Sequence, residues 1–469
     1  MKRNGTTYRY LLLVLLMYGF LITVLNLNYN SIYMDEAIPI LIGQQLLAGE
    51  PCPGCPYMTG SVFIQPIFMA FGDSMGGLNG ARIMNAFFGL ALAIVAFLTA
   101  RLLFDEKIGF IAATIIIFSG QTLYLMKLAT YDMIAAFFLG TAFLMLVVST
   151  RAGSQLWRDL ALLEGAVILF IASVTKYLLP VYIPFFLAYA VFKHGVRRTL
   201  ILYIAPVAVL LLLYYLFAPF APRAEIVGQV QSARSMTQLP LSTLLDWSLR
   251  WVSLAYLLAI FGIFHEKWGI PAILSIILST PIIIVHLMTR SEQSVNKNMI
   301  YALVFLAPAA ALGVDHIANL FSMRNASRTA RTFFTVAVLV VFWAYGFNNL
   351  RWLERQYPDS SQVIDFFDEN GFDGMRVALN GWDGVVLIYT FGDKYPHARY
   401  MHITDIADSG NSGPAFKEEV DFIICEEFYG DQFPCEEYEA CIKNEYTLIE
   451  DFTITHSWGV TSARIFGRI

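Results

Sequence analysis

Apolar residues along the chain gather into blocks of about twenty, separated by short charged or turn-rich breaks. A block of that length is what an α-helix needs to cross about 30 Å of hydrocarbon at roughly 1.5 Å per residue. The blocks fall at 8–27, 82–103, 108–126, 133–148, 160–174, 177–192, 200–217, 247–264, 268–287, 299–314 and 332–349. They predict a polytopic α-helical membrane protein of about eleven transmembrane helices. Two connections, 28–81 and 218–246, are too long for simple turns and are expected to be structured or functional. In the first, Ile38, Leu41, Ile42, Leu46 and Leu47 are spaced for an interfacial helix over 37–48, and a second amphipathic piece is expected at 62–71.

After about residue 350 the pattern changes. Asp359 or Ser360 is placed to cap a helix running to Glu369 and stopping at Gly371. Strand-like runs follow at 375–379, 385–391, 420–425, 446–454 and 462–466. The expected organisation is a transmembrane domain over 1–350, with interfacial helices in its first outer loop (28–81), and a C-terminal soluble α/β or α+β domain over 351–469. No internal repeat or low-complexity tract is evident.

Composition agrees: 57% of residues are hydrophobic and 14% charged, so most of the chain needs an apolar solvent. The net charge of −5 joins a basic membrane part to an acidic tail and argues neither for nor against nucleic acid; a membrane-embedded chain of this kind is expected to have no nucleic-acid partner. The distribution of basic residues is more telling, because Lys and Arg accumulate in loops that stay cytoplasmic. With the N-terminus inside, every inner segment is basic: Lys2, Arg3 and Arg9; Arg101 and Lys107; Arg151 and Arg158; Lys193, Arg197 and Arg198; Lys267; Arg324, Arg328 and Arg331. An odd number of spans then puts the tail outside. The first span is too long for a signal peptide and lacks a small-residue cleavage site, so it reads as a retained helix.

Several outer-face residues are candidates for chemistry. Asp35 and Glu36 are adjacent carboxylates just after the first span, readable either as a functional pair or as the acidic first turn of a helix. Asp132 stands at the mouth of the fourth span at the same expected depth, with an N-cap as its ordinary reading. Lys176 ends one span and begins the next, where a snorkelling lysine is common, but a phosphate contact is the alternative. Arg290 and Lys297, before the tenth span, can add positive charge to such a contact. Cys52 and Cys55 suit a tight structural disulfide better than a redox motif. Cys435 and Cys441 are a second candidate pair, but on one continuous helix they would be separated by about 9 Å. Bridging there needs a break in the helix or Cys425 as a partner. His265-Glu266 has no second histidine at metal spacing and reads as surface. The outer segments hold no Asn-x-Ser/Thr acceptor.

The order of these features resembles the C-type glycosyltransferase superfamily, in the branch of protein O-mannosyltransferases and lipid A aminoarabinose transferases. The resemblance rests on Asp35-Glu36-Ala37 leading into a helix to Gly49, then Gln65-Pro66, then Gly80-Ala81-Arg82 opening the second span. It continues through Leu123-Tyr124 to Tyr131-Asp132-Met133, and Thr175-Lys176. It covers roughly residues 8–176, the remaining spans matching by topology. The chain departs from the aminoarabinose transferases at Ile64-Gln65-Pro66-Ile67, where they carry an acidic residue and a lysine before paired prolines.

The resemblance implies a membrane glycosyltransferase that moves a sugar, with inversion, from an undecaprenyl- or dolichyl-phosphate donor to a lipid, glycan or protein acceptor. The setting would be the outer face of a bacterial or archaeal cytoplasmic membrane. Asp35 is then the expected base and Asp132 an orienting carboxylate. Lys176, Arg290, Lys297, Arg82, Tyr131 and Glu36 are expected to bind phosphate or substrate. A monophosphate leaving group admits a divalent metal without requiring one. The alternative is a transporter or flippase of lipid-linked sugars, which would favour broken helices and internal symmetry. A binding or sensory role for the tail alone would not need eleven spans.

Overall fold

The computed structural model describes residues 4–469 apart from 52–54, 56–59, 218–238, 291–293, 323–327, 357–358, 380–382, 393, 403–406, 409–414, 417–419, 427–441, 443–444 and 457–458. The chain divides into two compact units. One comprises Met1–Leu27 with Ile42–Leu350, the other Asn28–Leu41 with Arg351–Ile469.

The first unit is helical. Its elements are α1 (Asn4–Val24), α2 (Met34–Ala48, which contains the boundary between the units), α3 (Gln65–Leu103), α4 (Glu106–Phe118), α5 (Gly120–Met126), α6 (Tyr131–Arg151) and α7 (Gln155–Thr175). A 3-10 turn at Leu179–Tyr182 leads into α8 (Ile183–His194). The short α9 (Val196–Thr199) continues through a π turn, Leu200–Ile204, into α10 (Ala205–Phe217). Then come α11 (Leu241–Ile263), α12 (Gly269–Ser279), α13 (Pro281–Thr289), α14 (Val295–Ser322) and α15 (Arg328–Glu354).

Among the described residues eight helical segments are long and apolar enough to cross a membrane, and α4 with α5, bent by 63°, makes a ninth. The two remaining predicted spans are also helical. Leu179–His194 is apolar but shorter, and α7 carries Arg158, Asp159 and Glu164 in its first half. The expected 62–71 piece is the first part of α3, which kinks at Gly76 and Gly77 before the second span.

Burial separates the helices into roles. The α14 span is 89% buried and forms the centre of the unit, whereas the α1 and α10 spans are 17% and 11% buried and present apolar surface outward. Lipid solvates such surface as readily as protein does, so helix association relies on close packing of small residues. Gly313 of α14 lies where a Cβ would stand 1.7 Å from the Leu258 carbonyl oxygen of α11. At the end of the bundle away from the start of α6, Asp315 of α14 accepts hydrogen bonds from Lys107, Arg331 and Asn319, which satisfies a half-exposed charge cluster from three helices.

The second unit contains α16 (Ser361–Asn370), β1 (Arg376–Leu379), α17 (Asp383–Phe391), β2 (Arg399–His402), β3 (Ala407–Asp408), β4 (Ala415–Phe416), β5 (Phe422–Glu426), β6 (Tyr446–His456) and β7 (Gly459–Arg468). Five strands form a sheet ordered β2-β1-β5-β7-β6, and β3 with β4 makes a separate two-stranded ladder. β1 runs parallel to both neighbours, while β5, β7 and β6 are antiparallel. The strand expected at 385–391 is therefore corrected to the helix α17. A parallel β1–β2 pair requires a crossover, and α17 supplies it by burying Val386, Leu387 and Phe391 against the sheet. Phe367, Phe372 and Phe391 build the core beneath, with ring centroids 4.9 and 5.2 Å apart. Ser31 joins this unit by donating its N–H to Asp359 and accepting from the N–H of Ser360.

Candidate active site

One end of the helical unit holds a buried charged cluster built from four helix ends. α6 begins at Tyr131, and Asp132 in its first turn is 2% exposed. Lys176 caps the C-terminus of α7 in an extended conformation, and its Nζ donates to Asp132 Oδ1. The same Nζ donates to Asn298 Oδ1 at 2.6 Å. Tyr301, one turn further along α14, donates its hydroxyl to Asp132 Oδ1 at 3.1 Å, and Thr130 donates to Oδ2 at 3.3 Å. Asn298 in turn meets His286 Nε2 of α13 at 3.0 Å. The ammonium lies 4.9 Å from the centroid of the Tyr131 ring and 5.4 Å from that of Tyr301. Lys297 is also buried and acts electrostatically on Asp132. A buried ion pair needs its remaining donors and acceptors satisfied, and here hydroxyl, amide and aromatic partners do so.

The surrounding backbone is held in place by polar side chains. Gln65 Nε2 donates to the Ala129 carbonyl at 2.9 Å, and Asn85 Nδ2 donates to those of Leu125, at 2.8 Å, and Leu128. These bonds fix the connection from α5 to α6 and so set where Asp132 emerges. On the other side, the Ser61 N–H donates to the Val174 carbonyl at 2.7 Å. Gly60 packs so closely that a Cβ would stand 2.0 Å from the Thr175 carbonyl oxygen, beside Lys176. Position 65, where the chain departs from the aminoarabinose transferase pattern, is thus a structural support of the cluster.

Of the expected site residues, Asp132, Lys176, Tyr131 and Lys297 come together. Asp132 is not the N-cap of its helix: that position is Thr130, and the carboxylate turns to Lys176. Arg82 is buried and donates to the Leu27 carbonyl, while Arg290 is exposed at the C-cap of α13 in a left-handed conformation with φ 52°. Asp35 and Glu36 belong to the second unit, in the first turn of α2. Glu36 is buried there and accepts the Tyr33 N–H at 3.2 Å, while its own N–H donates to the Tyr33 carbonyl at 2.8 Å, a reciprocal helix cap. Asp35 is half-buried beside it. Sequence reasoning passed over Asn298, Tyr301 and His286. The one local signal was the polar run Asn296-Lys297-Asn298 opening an apolar span.

Cys55 and Cys425 are each disulfide-bonded, whereas Cys52, Cys435 and Cys441 lie outside the described residues. Among the described residues no three His, Cys, Asp or Glu side chains converge as metal ligands. His265 stacks on Trp268 with ring centroids 4.9 Å apart, and its burial there pushes its pKa below the usual histidine range.

No family model and no curated protein sequence matches the chain. Its fold, in contrast, is similar to solved structures over nearly its whole length. ArnT from Cupriavidus metallidurans bound to undecaprenyl phosphate superposes with a TM-score of 0.63 at 10% identity, covering 96% of this chain and 97% of that one. The apo form of ArnT gives a TM-score of 0.58 at 10% identity, over 98% of both chains. The archaeal oligosaccharyltransferase AglB from Archaeoglobus fulgidus, in complex with an inhibitory peptide and a dolichol-phosphate, gives 0.50 at 12% identity, over 89% of this chain and 69% of that one. The fold is therefore similar to that of ArnT over nearly the whole of both chains.

Proposed function

We propose that the chain is a membrane glycosyltransferase that moves a sugar from a polyprenyl-phosphate donor to a hydroxyl acceptor with inversion at the anomeric carbon. The observation that carries this reading is the buried Asp132–Lys176 pair with Asn298, Tyr301 and Lys297, at one end of a helical unit whose fold is similar to that of ArnT bound to undecaprenyl phosphate. As the anomeric C–O bond breaks, its electron pair stays on the phosphate oxygen, so the leaving polyprenyl phosphate gains a negative charge. Cations held in a site of low water content stabilise that charge strongly. Lys176 and Lys297 take this role, and Asp132 orients Lys176. Asp35 takes the proton of the acceptor hydroxyl as the new bond forms. Glu36 acts as the cap that orders the helix carrying Asp35.

The acceptor is a lipid, glycan or protein on the extracytoplasmic side of a bacterial or archaeal cytoplasmic membrane, with 351–469 as the extracytoplasmic domain and the N-terminus in the cytoplasm. Lys176 and Lys297 suffice to neutralise a monophosphate leaving group, so the reaction admits a divalent metal without requiring one.

The test is transfer of labelled sugar from synthetic polyprenyl-phosphate donors by membranes carrying wild type or Asp35→Asn. Wild type is expected to transfer, and the variant to lose about 10²-fold or more. Equal transfer by both would remove Asp35 as base. Movement of donor between leaflets with no sugar transferred would replace the enzyme with a transporter.

A further inference from the structure

At the opposite end of α6 and α7, about 30 Å along helices of 21 residues from Asp132 and Lys176, the helical unit contains a second concavity. Its volume is about 380 Å³. Arg151, Arg158, Lys193 and His194 line it, and no acidic side chain does. Arg151, Arg158 and Lys193 have no carboxylate within ion-pair distance among the described residues, in contrast to nearby Arg198, which pairs with Asp159. Arg158 sits in the first turn of α7, where the helix dipole opposes a cation and where there is no acidic residue to offset it. Ser149 Oγ meets His194 Nε2 at 2.8 Å and adds polar groups to the wall. Phe143, Tyr189 and Leu274 form an apolar side.

Loop cations that merely set topology need no concavity and gain nothing from crowding around one. Like charges held around a cavity repel one another, and an anion relieves that repulsion. We infer that this cavity binds a phosphate-bearing headgroup, with Arg151, Arg158 and Lys193 as its cationic contacts and the apolar wall beside the adjoining glycerol or acyl portion. Basic pockets between transmembrane helices are suited to anionic lipid headgroups, and a soluble phosphoester presents the same chemistry. The inference does not depend on the reaction proposed for the other end of the bundle.

The test uses the full chain, delipidated in neutral detergent, with its thermal unfolding followed during titration. The probes are short-chain phosphatidylglycerol, phosphatidylcholine of equal chain length, and glycerol 3-phosphate. Phosphatidylglycerol is expected to raise the midpoint saturably and phosphatidylcholine to leave it unchanged. Protection by glycerol 3-phosphate as well assigns a soluble phosphoester, and protection by phosphatidylglycerol alone assigns the lipid. Arg151→Gln/Arg158→Gln is expected to weaken apparent affinity by about tenfold or more, and Lys193→Gln, at an exposed position that leaves folding intact, by several-fold. The charge-matched control Arg9→Gln/Lys267→Gln, outside the cavity, is expected to bind as wild type. Equal protection by phosphatidylcholine, or unchanged affinity in Lys193→Gln and in the arginine variant, overturns the inference.

Discussion

Lys176 and Asp132 are charged groups withdrawn from water, so each depends on the other to remain ionised at tolerable cost. Removing one partner of such a pair costs about 3–5 kcal/mol, because the other is left uncompensated, whereas removing both together costs much less. Asp132→Asn and Lys176→Met are each expected to lose about that much stability in detergent, and the double variant to recover a good part of it. Unfolding midpoints of the four proteins test this, and losses that simply add would rule out the pairing. The adjacent acids Asp35 and Glu36 should separate differently. Glu36→Gln weakens the reciprocal bond to Tyr33 and should lower stability by about 1 kcal/mol, with the transfer rate nearly retained. Asp35→Asn should do the reverse, and a Glu36 variant with the larger rate loss would exchange their assignments. How much of the cluster was legible follows from chain distance. Asp132 and Lys176 announce themselves as isolated charges beside apolar blocks. Asn298 and Tyr301 lie 122 and 169 residues from the groups they bond, and a neutral Asn or Tyr at a span end carries no mark of a distant partner.

Hydropathy made the helices legible because lipid imposes one length and one composition on every span. It was silent about which helix is central, since the α10 and α14 spans are both apolar enough to cross a membrane, yet 11% of one and 89% of the other is buried. The glycine at 313 carries that missing information. An added Cβ would meet the Leu258 carbonyl, so Gly313→Ala should force α11 from α14 and cost about 1–3 kcal/mol, while Gly153→Ala, in open space, should be close to neutral. Comparable unfolding midpoints for the two variants would refute close packing of α11 on α14. In the second unit, the run at 385–391 looked like a strand because a short apolar stretch has no periodicity long enough to decide, and tertiary topology made it a helix. β2 went unnoticed because Arg399–His402 has little apolar character of its own and exists by pairing with β1. The loop between α11 and α12 adds a pH dependence. Burial lowers the pKa of His265 from its ordinary 6.5, so its contribution is fully present above that value and is lost as pH falls below it towards the folded-state value. Acidifying from neutrality should destabilise wild type more than His265→Gln, and parallel pH profiles would exclude His265 as the source.

At the scale of the whole molecule, we propose that orientation follows where the cations lie, and two features of the chain fit that reading. Basic residues collect in alternate loops from Arg101 and Lys107 to Arg331, the distribution expected of loops that stay in the cytoplasm. Disulfide bonding of Cys55 and Cys425 suits an oxidising compartment, and these cysteines fall in the loop after the first span and in the tail, both of which the charge rule expects outside. With the eleven spans that the hydropathy pattern predicts, this proposed orientation has the N-terminus and the tail on opposite sides. Alkaline phosphatase fused after Ile469 should therefore be active in a bacterial host, and the same reporter fused after Arg198 should be inactive. Moving positive charge should expose the cause. Replacing Arg197 and Arg198 with Gln while placing two lysines near Asp246 weakens the bias at one pair of loops only. It should reduce correct insertion locally without inverting the tail, because the remaining basic loops still hold the chain. Alkylation of whole cells without reductant should leave Cys425 unmodified, since its thiol is already bonded. Modification of Cys425 in those cells, together with a silent C-terminal reporter, would place the tail in the cytoplasm and remove the outer-face setting on which the proposed transfer reaction depends.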